Sequence, residues 1–328
     1  MALYSNLNLF FIRLLTILVP RFLHPPFAIF WGGLFYLLLP GKRRVLRRNL
    51  SVVTGSDRVE RLVFSTFYKF SRNWCDVMLM TRLRGPRLLS LIGRWSSEQA
   101  LVDALAAGNG AILISVHLGC WELGGLGLAD KGYPMNILTY REPDEKVNQA
   151  RERLRRERGI NFIYVDREES SPFAIVEAVS VLNRNEVLAL LGDRDGSSQT
   201  APFRFFGRSM PIPVGAAYLA LASGAPVIPV FVPLERGRYA AVMEEPVYFR
   251  AAQRGDRERV VREGVERILR VFERYLRSYP DQWYNFFDYF AAAETSRTEQ
   301  EPADERRTDS TGKAADHRQP AHRGDVRP

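Results

Sequence analysis

Cysteine is scarce in this sequence: Cys75 and Cys120 are the only two among 328 residues. That excludes a disulfide scaffold, and no CxxC pair offers a metal site. A reducing, cytosol-facing compartment is the default. Histidine is almost as rare, with four residues, of which His317 and His322 stand without cysteines or carboxylates at ligand spacing. No metal is expected. Neither a GxGxxG nor a GxxxxGK loop occurs, so nucleotide binding finds no support and no cofactor is expected. A GxSxG nucleophile elbow is missing too, which counts against a lipid hydrolase.

What is abundant is apolar surface and positive charge. With 46% hydrophobic residues the chain can bury a sizeable core, as one large domain with appendages. Its formal charge is +9, and the stretch from Ala292 onward is nearly balanced, so the excess belongs to the body. Anionic partners follow: nucleic acid, an anionic membrane surface or an acidic carrier protein. The N-terminus decides for the membrane and against nucleic acid. Leu7 to Pro40 is largely apolar, broken by Arg13, Arg21, His24 and prolines at 20, 25 and 26. Neither uninterrupted half reaches the roughly 20 apolar residues of a clean span, which leaves a kinked signal-anchor or interfacial helices over residues 1–40. Lys42, Arg43, Arg44, Arg47 and Arg48 come next, and such clusters stay cytoplasmic and attract anionic headgroups.

Residues 292–328 contain no aromatic and almost no large aliphatic side chain, and read as a disordered tail. Between the ends, residues 41–291 switch periodicity repeatedly. Helical spacing covers 61–80, 98–108, 145–158, 172–183 and 214–222. Short apolar runs cover 111–116, 135–140, 161–165, 186–192 and 226–232. Strands alternating with helices predict an α/β domain with a mainly parallel sheet, which binds ligands at the carboxyl ends of its strands.

His117 stands at the end of the first such strand, in AILISVHLGCWELGG. If a helix starts just after it, Glu122 can accept the ring Nδ1 proton, leaving Nε2 as a base. Glycines at 119, 124, 125 and 127 leave room for a substrate to approach. Cys120, between the pair, reads as a small buried residue rather than a nucleophile.

HLGCWELGG after an apolar strand matches the His-four-residues-acid signature of membrane glycerolipid acyltransferases. With glutamate in the acid position, it resembles the lipid A biosynthesis (lauroyl/myristoyl) acyltransferase family. TYREP (139–143), RERG (156–159), LLGDRDG (190–196), FRFFGRSMPIPVG (203–215) and YPDQWYNFFDYF (279–290) follow in that family's order, so the resemblance covers residues 5 to 290. It implies an O-acyltransferase on the cytoplasmic face of a bacterial inner membrane. The acyl chain would come from acyl carrier protein or acyl-CoA and go to a hydroxyl of a lipid A precursor or related glycolipid. Lysophospholipids, ornithine-type lipids and phosphoinositol mannosides stand as alternative acceptors. His117 would be the general base and Glu122 its orienting acid. Arg155 matches the family's arginine, with Arg156 almost as eligible. Arg141 is a candidate for acceptor phosphates. Asp193 matches an acidic family residue, with Asp195 beside it, and Arg208 lies on an expected loop where it lines the site or stays solvated.

Overall fold

The computed structural model describes residues 21–80, 82–140, 145–165, 172–194 and 199–291. The expected disordered tail and residues 1–20 of the expected anchor lie outside these, as do Arg141 and Asp195.

Three helices come first: α1 (His24–Leu38), α2 (Pro40–Thr54) and α3 (Glu60–Met80). Pro25 and Pro26, which the sequence predicts to break a helix, instead sit in the first turn of α1, where an amide N–H has no intrahelical partner to lose. Among the described residues no helix is long and apolar enough to cross a membrane. Next come the short α4 (Pro86–Leu89), β1 (Ile92–Ser96), α5 (Gln99–Ala106), β2 (Ala111–Ser115), α6 (Trp121–Asp130), β3 (Met135–Tyr140), α7 (Glu145–Arg156), β4 (Asn161–Val165), α8 (Pro172–Asn183) and β5 (Val187–Leu191). A hairpin of β6 (Thr200–Phe205) and β7 (Arg208–Pro213) precedes α9 (Gly215–Ser223) and β8 (Val227–Phe231). The described chain ends with β9 (Leu234–Glu235), β10 (Arg238–Met243), α10 (Arg257–Ser278) and a strap reaching Phe290.

The main sheet runs β1-β10-β8-β2-β5-β3-β4, with β9 paired to β10. From β8 to β4 every pairing is parallel, and β10 turns the direction against β8. All five residues of β2 are buried, because helices cover both faces and a continuous apolar run is what such a strand needs. Ile112 and Ile114 point into a core with α8, α9, α10 and the hairpin, while Leu113 points into a second core with α5 and α6. The run that ends at His117 is therefore the middle of a three-layer domain. The expected strands and helices of this region all form, which makes the fold the α/β class with a mainly parallel sheet. Arg208, expected on a loop, instead begins β7.

Candidate active site

β2 and β5 are neighbours in parallel register, with Ser115 opposite Leu191. Two residues beyond each strand end, His117 therefore faces Asp193. The ring Nδ1 lies 2.6 Å from Asp193 Oδ1, and the His117 backbone N–H donates to Oδ2 at 3.1 Å. Nδ1 thus carries the proton towards the carboxylate, and Nε2 is left with its lone pair. Trp121 packs edge-on against the imidazole with centroids 5.1 Å apart.

This pairing corrects the sequence expectation for Glu122. The helix starts just after His117, as expected, but the carboxylate at Nδ1 belongs to the adjacent strand. Glu122 sits in the first turn of α6, and its Oε2 is buried without a hydrogen-bond partner among the described residues. Its charge is felt by Cys120 and Tyr284. Sheet neighbourhood brings two strand ends together whatever their separation in sequence, and a five-residue spacing cannot show it.

The turn between them is tightly fixed. Gly119 has φ +67°, and a Cβ there would lie 2.2 Å from the Val232 carbonyl oxygen, so only glycine fits. A Cβ on Gly124 would meet Val232 and one on Gly127 would meet Trp95. Both glycines therefore let α6 lie close on the sheet. Cys120 is buried, and burial pushes its thiol well above the usual range, so the thiolate a nucleophile needs is disfavoured.

Asp193 is held from a third direction. The Trp283 indole N–H donates to its Oδ2 at 2.9 Å, and Asn285 Nδ2 lies 3.5 Å from the same oxygen. Burial opposes its ionisation, but His117, through its charge when protonated and its hydrogen bond, then Arg194 and Trp283, outweigh that and hold the carboxyl well below the usual range. The strap also closes over the turn itself. Tyr284 N–H donates to the His117 carbonyl, Gly119 N–H donates to the Gln282 carbonyl, and Arg194 binds the Asn285 side chain and the Tyr284 carbonyl. In the sequence Trp283 and Asn285 stand out only as part of the aromatic motif at 279–290. Their spacing from Asp193 in sequence, about 90 residues, gives no signal of the contact.

Arg156, on α7, is exposed and pairs with Glu152. Arg155 is on the same helix, and its side chain falls outside the described set. Arg208 rests its guanidinium over Phe290, 5.8 Å from the ring centroid.

A base fixed by a buried carboxylate at the mouth of a parallel sheet suits proton removal from a hydroxyl. Residues 3–290 match the family of bacterial lipid A biosynthesis acyltransferases. The chain belongs to that family, and it is an acyltransferase. Similar relatives include two named phosphatidylinositol mannoside acyltransferase. One, from Mycolicibacterium smegmatis, is 27% identical over 206 residues, covering 62% of this chain and 67% of its own. The other, from Mycobacterium tuberculosis, is 28% identical over 212 residues, covering 62% of this chain and 66% of its own. The match thus spans about two thirds of each relative. The stretch from His117 to Glu122 lies within the matched residues, and there the His117 ring is bonded to Asp193.

Proposed function

We propose that the protein moves an acyl chain from a carrier thioester to a hydroxyl of a membrane glycolipid, with His117 as general base and Asp193 as its orienting carboxylate. The observation that carries this is the 2.6 Å contact at Nδ1, which leaves Nε2 free to accept a proton. Nε2 takes the proton of the acceptor hydroxyl as its oxygen attacks the thioester carbonyl. The tetrahedral oxyanion collapses, the C–S bond breaks, and the proton held on Nε2 passes to the departing sulfur. Asp193 stabilises the imidazolium between these two transfers. Glu122 is a wall of the site, its charge beside Cys120 and Tyr284.

The acceptor we favour is a phosphorylated sugar lipid such as a phosphatidylinositol mannoside, on the strength of the relatives' names. A membrane location is supported by α1, whose Phe22, Phe30, Leu37 and Leu38 flank or lie on it and are each more than 60% exposed, followed by the basic stretch of α2. An apolar face beside Lys and Arg is how a helix lies in an anionic interface. An anionic carrier of the donor, acyl carrier protein or coenzyme A, suits the formal charge of +9. Mass spectrometry of membrane lipids from cells with and without the gene tests the reading. A sugar lipid heavier by one acyl chain only when the gene is present is expected, and unchanged lipids would overturn it.

A further inference from the structure

The strap from Trp283 to Phe290 touches the catalytic pair at one end and the N-terminal helices at the other. Beside the apolar packing of Phe286 on the cluster of Leu46 and Leu50, the strap backbone is held to α2 by the buried side chain of Asn49, 1% exposed. Asn49 Nδ2 donates to the carbonyls of Asn285 at 3.0 Å and Phe287 at 2.8 Å, and its Oδ1 accepts from the Tyr289 N–H at 3.1 Å. Both N–H groups of the amide and its oxygen face the strap backbone. The carbonyl that Asn49 holds on residue 285 belongs to the same residue whose side chain reaches Asp193 Oδ2 and Arg194. Two residues earlier, Trp283 donates to that same oxygen.

We propose that Asn49 is a positioning residue for the transfer reaction: by clamping the strap it fixes Trp283 and Asn285, and through them the angle at which Asp193 meets His117. The inference rests on the acyl-transfer reading given above. It assigns the N-terminal helices a part in completing the catalytic centre, in addition to any part in membrane binding. Arginine or lysine on the same helix does not substitute for this. Lys42 reaches the Phe286 carbonyl, which among the described residues bears no contact to Asp193, and Arg48 reaches the Asp288 carboxylate at the surface, where an ion pair contributes little. Removing two donors to buried carbonyls frees the strap by fractions of an ångström, and displacements of about 1 Å cost up to about a hundredfold in rate.

The test uses the full chain with a short-chain, water-dispersed donor and acceptor, so that membrane binding is not what is measured. Asn49→Ala is expected to lower kcat about ten- to a hundredfold with the acceptor KM changed less than about twofold. Asn49→Asp keeps an acceptor for Tyr289 but cannot donate when ionised, and is expected to lose as much. The acid limb of the kcat/KM profile should move to lower pH as the carboxylate's hold on the imidazolium weakens. The Trp283 indole N–H resonance should shift with it. Trp283→Phe, which keeps the ring bulk and most of the packing, should cost far less in the Asn49→Ala background than in the wild type, because both act along one line. A wild-type kcat in both Asn49 variants overturns the proposal. So does a loss that tracks the unfolded fraction with the pH limb and the indole resonance unmoved, which marks a merely structural residue. If Asn49→Ala does not fold, Asn49→Ser carries the same readouts, and Trp283→Phe carries the kinetic and pH readouts. Failure of the wild type to transfer any acyl chain would strike the acyl-transfer reading itself, a result separate from these.

Discussion

Asp193 meets His117 twice, with one carboxylate oxygen at the ring Nδ1 and the other at the backbone N–H of the same residue. The second contact makes the arrangement more than an ion pair. It fixes where the ring sits as well as which nitrogen carries the proton. Asp193→Asn should therefore remove catalysis while leaving the fold intact, by about a hundredfold to ten-thousandfold, the range expected when an orienting carboxylate is neutralised. Glu122→Gln, with no bond to the ring, should lose distinctly less. Steady-state rates of the two variants decide the matter. Equal losses, or a larger one for Glu122→Gln, would return the orienting role to the first turn of α6.

His117→Ala should lower transfer at least about a hundredfold through loss of the base and still sediment with anionic vesicles, since none of the exposed apolar residues of α1 contacts the ring. Activity near that of the wild type would remove the mechanism.

Much of this was legible beforehand. The apolar runs from 111 to 232 and the helical stretches between them are strong periodic signals, and each became the expected element because burial on both faces of a parallel sheet demands that pattern. The place of His117 was legible for the same reason, being the first polar group past a buried strand. Its partner was not. Glu122 lies near in sequence, Asp193 lies one strand over, and only the β2–β5 register decides between them. The β6–β7 hairpin was missed because Pro202, Pro211 and Pro213 break the usual strand signature. Trp283, Asn285 and Asn49 act through a strap without regular structure, and such a segment has no period to read.

Gly119→Ala should be far more harmful than Cys120→Ala. The first puts a methyl group 2.2 Å from a backbone oxygen at a positive φ, which forces the catalytic turn off Val232. The second removes a buried sulfur that the chemistry does not use. Cys120→Ala should keep transfer activity within a few-fold at a stability cost of about 1 kcal/mol, in line with a small buried truncation. Gly119→Ala should lose both activity and several degrees of melting temperature. Abolished activity in a folded Cys120→Ala protein would revive a thiolate intermediate.

Acid stability gives a check on the pair that needs no substrate. Asp193 is buried, and burial alone would raise its pKa, but the His117 charge and hydrogen bond reverse the sign and hold the folded-state value below the unfolded one. A depressed carboxyl contributes stability that is complete above the unfolded value and is lost as the pH falls through the folded one. His117→Gln removes the two largest lowering influences, so Asp193 takes its proton at a higher pH. Circular dichroism followed from neutral pH downward should show His117→Gln unfolding earlier in the acid range than the wild type. Trp283→Phe, which removes a smaller influence, should fall between them. Superimposable acid transitions for the three proteins would mean that the carboxylate owes its ionisation to something other than the imidazole it touches.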